Sequence, residues 1–374
     1  MKYLLELGRL QELSVYEAAQ IFDGYPQEPL AEKFLAVEVD DESKVLEIVE
    51  RSGGISRAFK AIKTVQKDEL LPFIVEYLKD LPKPTFSFTS HNTEGNSVQL
   101  SPQEIKNELK KLNVSSRFIE KSSTAFFLHH QNTIDLHAVV DGENVLLAQT
   151  IWVQNIDEWT VRDRSKPYRD RKKGMLPPKL ARMMVNFVSP DIQKRTDKLL
   201  YDPFCGTGTV LMEASMLGWD IGGSDLAGDA VHGTATNMHW FSQLYGKPEP
   251  KALFIADATH LDLKQLPGKI DAIVTEPFLG KPQPKTHDLP NIFKGLEKLY
   301  LGSFKQWKQI LKDGGEVILV TPLVETPQKT FSLARFIDNL PSLGYNLVSG
   351  PMVYRREQTI VQRAIYKLKL QTKN

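Results

Sequence analysis

Eight consecutive residues could do chemistry together: Asp202-Pro203-Phe204-Cys205-Gly206-Thr207-Gly208-Thr209. They follow the apolar run Leu199-Leu200-Tyr201 and precede a helical pattern from Thr209 to Leu217. Two glycines one residue apart let the backbone turn sharply and approach a ligand without a Cβ in the way. The third glycine of a dinucleotide fingerprint is missing, and so is the Gly-Lys-Ser/Thr of a nucleotide phosphate loop, which steers away from NAD and ATP. An acid at the end of the strand instead suits a ligand that carries an ammonium group. Cys205, inside the turn, reads as a small apolar packing residue rather than a nucleophile.

Acids recur at the ends of the next strands. Asp225 closes Ile221-Gly222-Gly223-Ser224 about 20 residues after the glycines, where a carboxylate can accept from both ribose hydroxyls. Asp257 closes Phe254-Ile255-Ala256, with Ala258 next, where it could accept from an adenine amino group. Taken singly, each acid is a turn or helix-cap residue. Three in register at the carboxyl ends of parallel strands describe a ligand crevice. Together they predict a pocket for S-adenosylmethionine: Asp202 for the amino-acid part, Asp225 for the ribose, Asp257 and Ala258 for the adenine. Phe204, Gly206, Thr207 and Gly208 form its backbone cradle.

These residues need strands and helices in alternation to hold them, and the chain supplies that from Pro177 onward. Strands are predicted at 199–202, 221–224, 252–256, 272–275 and 316–321, with helices at 179–188, 209–217, 227–244 and 291–311 between them. The runs 345–349 and 359–368 suit a terminal β-hairpin on the sheet edge. The fold class is therefore α/β, a doubly wound, mostly parallel sheet over 177–370. The chain before it is α+β. Residues 1–82 predict strands at 3–7, 34–39 and 59–65 with helices at 14–22, 42–51 and 68–79, the first capped by Ser14 with Glu17 three residues on. Residues 83–153 predict strands at 86–88, 125–129, 134–140 and 145–153, a helix at 102–111 and a hairpin turn at Asp141-Gly142.

Residues 154–176 are polar and charged and read as a linker. Within it, Arg162 to Lys173 holds seven basic and two acidic side chains, with Tyr168 among them. Such a run is either a solvated hinge or a strip that contacts nucleic-acid phosphates through Arg169, Arg171, Lys172 and Lys173. The whole chain gives no such signal, since 47 basic and 46 acidic residues leave a net charge of +1. One cysteine in 374 residues excludes an internal disulfide and a zinc ribbon, and the eight histidines, His129-His130 included, lack companions at ligand spacing, so no metal is expected. The N-terminal apolar patch is interrupted by Glu6, Arg9 and Glu12, and no stretch approaches the ~20 apolar residues of a membrane span. A cytoplasmic location is expected.

The Asp-Pro-Phe-Cys-Gly-Thr-Gly-Thr run resembles motif I of the class I methyltransferases that use S-adenosylmethionine, in the form found in N2-guanine RNA methyltransferases. Gly174 to Asn186 resembles the helix before motif I in that group, and Tyr354-Arg355-Arg356-Glu357-Gln358 with Val361 to Tyr366 resembles its closing hairpin. The match is to the archaeal and eukaryotic tRNA guanosine-10 N2-methyltransferases and is good over about 160–370. The resemblance implies a ferredoxin-like unit at 1–82, a THUMP-like RNA-binding domain at 83–153, and tRNA as partner; some relatives also use a small activating subunit.

The resemblance also implies a catalytic Asp/Asn-Pro-Pro-Tyr/Phe motif after the fourth strand, where this chain reads Glu276-Pro277-Phe278-Leu279. There Glu276 and the Pro277 carbonyl would accept the hydrogens of an exocyclic amine and Phe278 would hold the base. Glutamate replaces aspartate, phenylalanine the second proline and leucine the aromatic, so an active loop needs a compensating shift. The expected activity is methyl transfer to N2 of a tRNA guanosine. A DNA adenine or cytosine amino-methyltransferase and an RNA-binding protein with a degenerate loop stay open.

Overall fold

The computed structural model describes residues 1–31, 33–92, 97–120, 133–170, 175–357 and 359–372. The chain divides into two compact units, Met1–Ile156 and Asp157–Asn374.

The first unit runs β1 (Lys2–Leu7), α1 (Gln11–Ile21), β2 (Gln27–Ala31), β3 (Phe34–Glu38), α2 (Glu42–Glu50), β4 (Ile55–Gln66), α3 (Leu70–Lys79), β5 (Thr85–His91), α4 (Pro102–Lys111), β6 (Arg117–Phe118), β7 (Ile134–Asp141) and β8 (Asn144–Val153). Local sequence explains several boundaries. Ser101 caps α4 in a capping box with Glu104, and Pro102 occupies its first turn, where a missing N–H costs nothing. Asp141 pairs with Asn144, so Gly142 and Glu143 make the two-residue turn, with Gly142 left-handed at φ 59°.

Two expectations change here. The spans 1–82 and 83–153 contribute to one eight-stranded sheet, ordered β2-β3-β1-β4-β8-β7-β5-β6, because β4 pairs with β8 from Arg57↔Val153 to Gln66↔Asn144. Ser14 does not cap α1, which begins three residues earlier. Glu17 is buried and instead accepts from Ser52 Oγ and the backbone N–H groups of Gly53 and Gly54, anchoring the loop into β4. The strand expected at 125–129 lies outside the described residues.

The second unit contains α5 (Ile156–Arg164, its first residue at the unit boundary), α6 (Pro178–Asn186), α7 (Pro190–Gln193), β9 (Leu199–Asp202), α8 (Thr209–Met216), β10 (Asp220–Asp225), α9 (Gly228–Tyr245), β11 (Ala252–Ile255), β12 (Ile270–Thr275), α10 (Leu289–Ile310), β13 (Leu311–Glu325), β14 (Thr330–Phe331), α11 (Ala334–Asn339), β15 (Tyr345–Tyr354) and β16 (Gln362–Leu370). Its sheet runs β11-β10-β9-β12-β13-β16-β15, with β14 paired to β13 off that path. The first five strands are parallel and β15–β16 form the antiparallel edge hairpin. β9 and β12 are buried along their whole length, as central parallel strands must be. α10 buries Leu289, Phe293, Leu296, Tyr300, Phe304, Trp307 and Ile310, a helical stripe that forms one wall of the core.

The sheet order reverses at β9, which has β10 on one side and β12 on the other. Loops leaving the carboxyl ends of such a trio open a crevice between them. The segment expected to be a linker is largely structured: α5 fills 156–164 and buries Trp159 and Arg162. Among the described residues no helix is long and apolar enough to cross a membrane.

Candidate active site

The glycine turn is held from both sides. Gly206 and Gly208 sit at φ 54° and 79°, and Gly208 is the N-cap of α8. A Cβ on Gly208 would come within 3.0 Å of Thr234 Cγ2, while Thr234 Oγ1 donates to the Gly206 carbonyl at 2.8 Å. Cys205 is buried beneath, and its thiol is pushed well above the usual range by burial and by Asp202 and Asp225. It packs, as expected.

Asp202, at the end of β9, is almost fully buried. Its Oδ1 accepts from Thr275 Oγ1 at 2.6 Å and from the Phe204 N–H at 3.1 Å. Burial pushes its pKa up to about 7, helped by the charges of Asp225 and Glu276 and opposed by the two hydrogen bonds. Asp225, at the end of β10, accepts from the N–H of Gly206 at 3.0 Å and of Ala227 at 2.9 Å. The turn and the β10 acid are thus one hydrogen-bonded piece. Asp257 lies just past β11 and is exposed; Thr259 N–H and Oγ1 donate to its Oδ1 at 2.8 and 2.7 Å and hold its pKa down. Ala256 N–H donates to the Asp225 carbonyl at 3.0 Å, so Asp257 and the buried Ala258 leave the sheet beside Asp225.

The basic stretch divides. Arg162 is buried, its Nε donating to Glu213 Oε1 at 2.8 Å, and Arg182 reaches the other oxygen of Glu213. Lys166 is only 2% exposed and its Nζ donates to Thr209 Oγ1 at 3.0 Å and Thr207 Oγ1 at 3.2 Å. No carboxylate among the described residues lies within ion-pair distance of it, and burial brings its pKa down to about 8. From its neighbours in sequence this lysine belongs on a solvated strip; in the fold its place is under the glycine turn. Asn237 ties the neighbouring segment down, accepting from Tyr168 N–H at 2.8 Å and donating to the carbonyls of Tyr168 and Thr207 at 2.9 Å. The Tyr168 ring rests on Gly233 of α9, so that face is not available to stack on a base. Arg169 is exposed; Arg171, Lys172 and Lys173 lie outside the described residues.

Glu276 follows β12 directly. Arg363 of β16 places Nε at 2.9 Å and Nη2 at 2.8 Å from the same oxygen, Oε1. Burial pushes the Glu276 carboxyl up, and Arg363 and then Arg356 pull it back. Pro277 is buried, whereas Phe278 is 61% exposed. The Phe278 carbonyl accepts from the buried Tyr300 hydroxyl at 3.1 Å, fixing the loop on α10. Arg363 was not among the residues singled out from the sequence. Its one linear signal is a basic residue in the closing hairpin.

Residues 166–339 match the RMKL-like methyltransferase-domain family. The chain is 35% identical over 149 residues to the tRNA (guanine(10)-N2)-dimethyltransferase of Methanothermobacter thermautotrophicus, covering 40% of this chain and 39% of that protein. It is 36% identical over 119 residues, 32% of this chain and 70% of the relative, to the protein of Methanothermococcus thermolithotrophicus named "Probable tRNA (guanine(10)-N2)-dimethyltransferase". It therefore spans well under half the length of the first of these. Among solved structures, TrmN from Thermus thermophilus aligns over 99% of this chain and 100% of its own, with TM-score 0.56 and 18% identity, a likeness of fold. The second unit accordingly has the class I methyltransferase fold.

Proposed function

Because the chain belongs to the family of the tRNA (guanine(10)-N2)-dimethyltransferases and its residues 166–339 match an RMKL-like methyltransferase domain, we propose that it transfers a methyl group from S-adenosylmethionine to an exocyclic amine of RNA, N2 of a tRNA guanosine. One observation carries this reading: Thr275, the residue before Glu276, donates to Asp202 at 2.6 Å. The acceptor loop and the ligand turn are thereby bonded to each other at the ends of adjacent strands. A methyl donor in the turn and an amine at Glu276 would be neighbours, as direct transfer requires.

The residues suit the cofactor. Among the described residues Asp202 has no cation within ion-pair distance and Lys166 has no carboxylate, yet both are buried. An isolated buried charge is costly, so a zwitterionic amino-acid group that neutralises both is the complement they call for. Asp202 would take the ammonium and Lys166 the carboxylate. Asp225 retains lone pairs for the ribose hydroxyls beyond its two backbone bonds, and Asp257 with Ala258 would flank the adenine. When bound, the cofactor supplies an electrophilic methyl group on a sulfonium.

Glu276 and the Pro277 carbonyl accept the two hydrogens of the target amine. This would draw its lone pair out of conjugation with the base, so that the nitrogen attacks the methyl carbon as the carbon–sulfur bond breaks and a neutral thioether leaves, with Glu276 taking the proton the nitrogen sheds. The exposed Phe278 offers the base a face. Arg169, with Arg171, Lys172 and Lys173, would contact RNA phosphates, and the THUMP-like part of the first unit would grip the tRNA.

The test is to incubate the protein with labelled cofactor and either unmodified total tRNA or duplex DNA, then map any methylated nucleoside by mass spectrometry. Label in N2-methylguanosine is expected. Label in DNA alone, or none in either acceptor, sinks this reading.

A further inference from the structure

The loop Glu276-Pro277-Phe278 has a glutamate where the motif it resembles has aspartate or asparagine, and one extra methylene gives the carboxylate an extra rotatable bond. A misplacement of about 1 Å costs on the order of 100-fold in rate. Something must therefore fix the longer side chain. The structure points to Arg363. Its backbone lies inside the sheet, opposite Pro322 of β13 on one side and Tyr354 of β15 on the other. Its guanidinium carbon lies 5.7 Å from the centre of the Tyr354 ring, and Nε and Nη2 both reach Glu276 Oε1, at 2.9 and 2.8 Å. Side-chain exposures of 11% and 17% leave this pair only lightly screened by water. No described residue donates to Oε2.

We propose that Arg363 is a positioning residue for methyl transfer: it clamps Oε1 of Glu276 so that Oε2 is presented, ionised, to the target amine. This rests on the function proposed above and names the device that lets glutamate serve in that loop. Electrostatics are consistent with it. Burial disfavours the Glu276 carboxylate, and Arg363 is the largest opposing influence. The other groups that face it are Arg356, which also favours the charged form, Asp202 across the β9–β12 edge, and the buried Tyr300 hydroxyl of α10. Without Arg363 the carboxyl would hold its proton to higher pH and its rotor would be loose.

Arg363→Ala should therefore lower kcat by about 100-fold, with KM for tRNA and cofactor changed by less than about 3-fold, the pattern of a group acting in the transition state. The acid limb of the kcat–pH profile should also move up by at least about one pH unit, since a partner charge within ~4–6 Å shifts a carboxyl by about 1–3 units. Arg363→Lys, which keeps the charge and loses the fork, should recover the pH limb but only part of kcat. A purely structural role would lower the melting temperature and leave the pH limb in place. A folded Arg363→Ala protein with near-parental kcat and an unmoved acid limb overturns the proposal. If the parent transfers no label to tRNA, the function reading fails on its own. Carbon-13 carboxyl titration of Glu276 then tests the clamp separately, and an unchanged titration in Arg363→Ala overturns it.

Discussion

Asp202 is a carboxyl group buried at the end of β9 with a hydroxyl and one backbone N–H for partners. Its folded pKa of about 7 lies above the ordinary 3.8, so the folded protein binds this proton more tightly than the unfolded chain does. Stability from this group is therefore complete below about pH 4 and lost as pH rises toward 7. An ammonium placed beside it reverses the preference and draws the proton off. Cofactor binding at pH 6 should thus release a proton, and affinity should rise between pH 6 and 8. Calorimetry in buffers of different ionisation enthalpy measures this release directly. Asp202→Asn should abolish it; a release that persists in the Asn variant would place the ammonium elsewhere. Glu276→Ala should lower kcat by about 100-fold, the scale for one well-placed transition-state hydrogen bond, with little change in cofactor affinity measured by titration. The positions of Asp202, Asp225 and Asp257 were legible because strand ends can be found from apolar runs, whereas Glu276 came only from the resemblance to a catalytic motif after the fourth strand. Lys166 and Arg363 were not legible. A lysine in a charged run reads as surface until the helix and turn that cover it are known, and Arg363 meets Glu276 across 87 residues of chain.

At the scale of elements, the segment 166–170 is held to α9 by Asn237 and by the Tyr168 ring on Gly233. Helix propensity alone predicts that Gly233→Ala stabilises by up to about 1 kcal/mol. A Cβ there would overlap the ring, and overpacking of this kind costs about 1–3 kcal/mol. The second effect is the larger, so Gly233→Ala should lower stability in denaturant melts. The same substitution in a Tyr168→Ala background should be neutral or stabilising, and equal effects in both backgrounds would remove the ring from the account. Elements whose information is local were read closely: α4 at 102–111, which a capping box and Pro102 delimit in the structure, and β12 at 272–275, within Ile270–Thr275. Elements defined by distant partners were not. The β4–β8 pairing that makes one sheet of the first unit joins residues about 80–100 positions apart, and α5 is stabilised by buried Arg162 and Trp159 rather than by an apolar stripe.

At the scale of the molecule, a net charge of +1 gives little long-range attraction to RNA, so binding must come from where the cations sit. Burial of Arg162 and Lys166 takes two of the seven basic side chains out of the stretch 162–173. Arg169 is exposed, and with Arg171, Lys172 and Lys173 it remains the candidate group for binding phosphates. Replacing these four by Ala should weaken tRNA binding and make its salt dependence shallower, by up to about 0.7–0.9 in log–log slope for each phosphate no longer neutralised. Cofactor affinity should stay at the parental value, because none of the four belongs to the glycine turn or its acids. The pair of measurements separates two readings of the strip. A weaker tRNA affinity with an unchanged slope would mean that the substitutions act through folding or shape. An unchanged slope with unchanged affinity would make the strip a solvated connection and move RNA recognition to other surfaces of the protein.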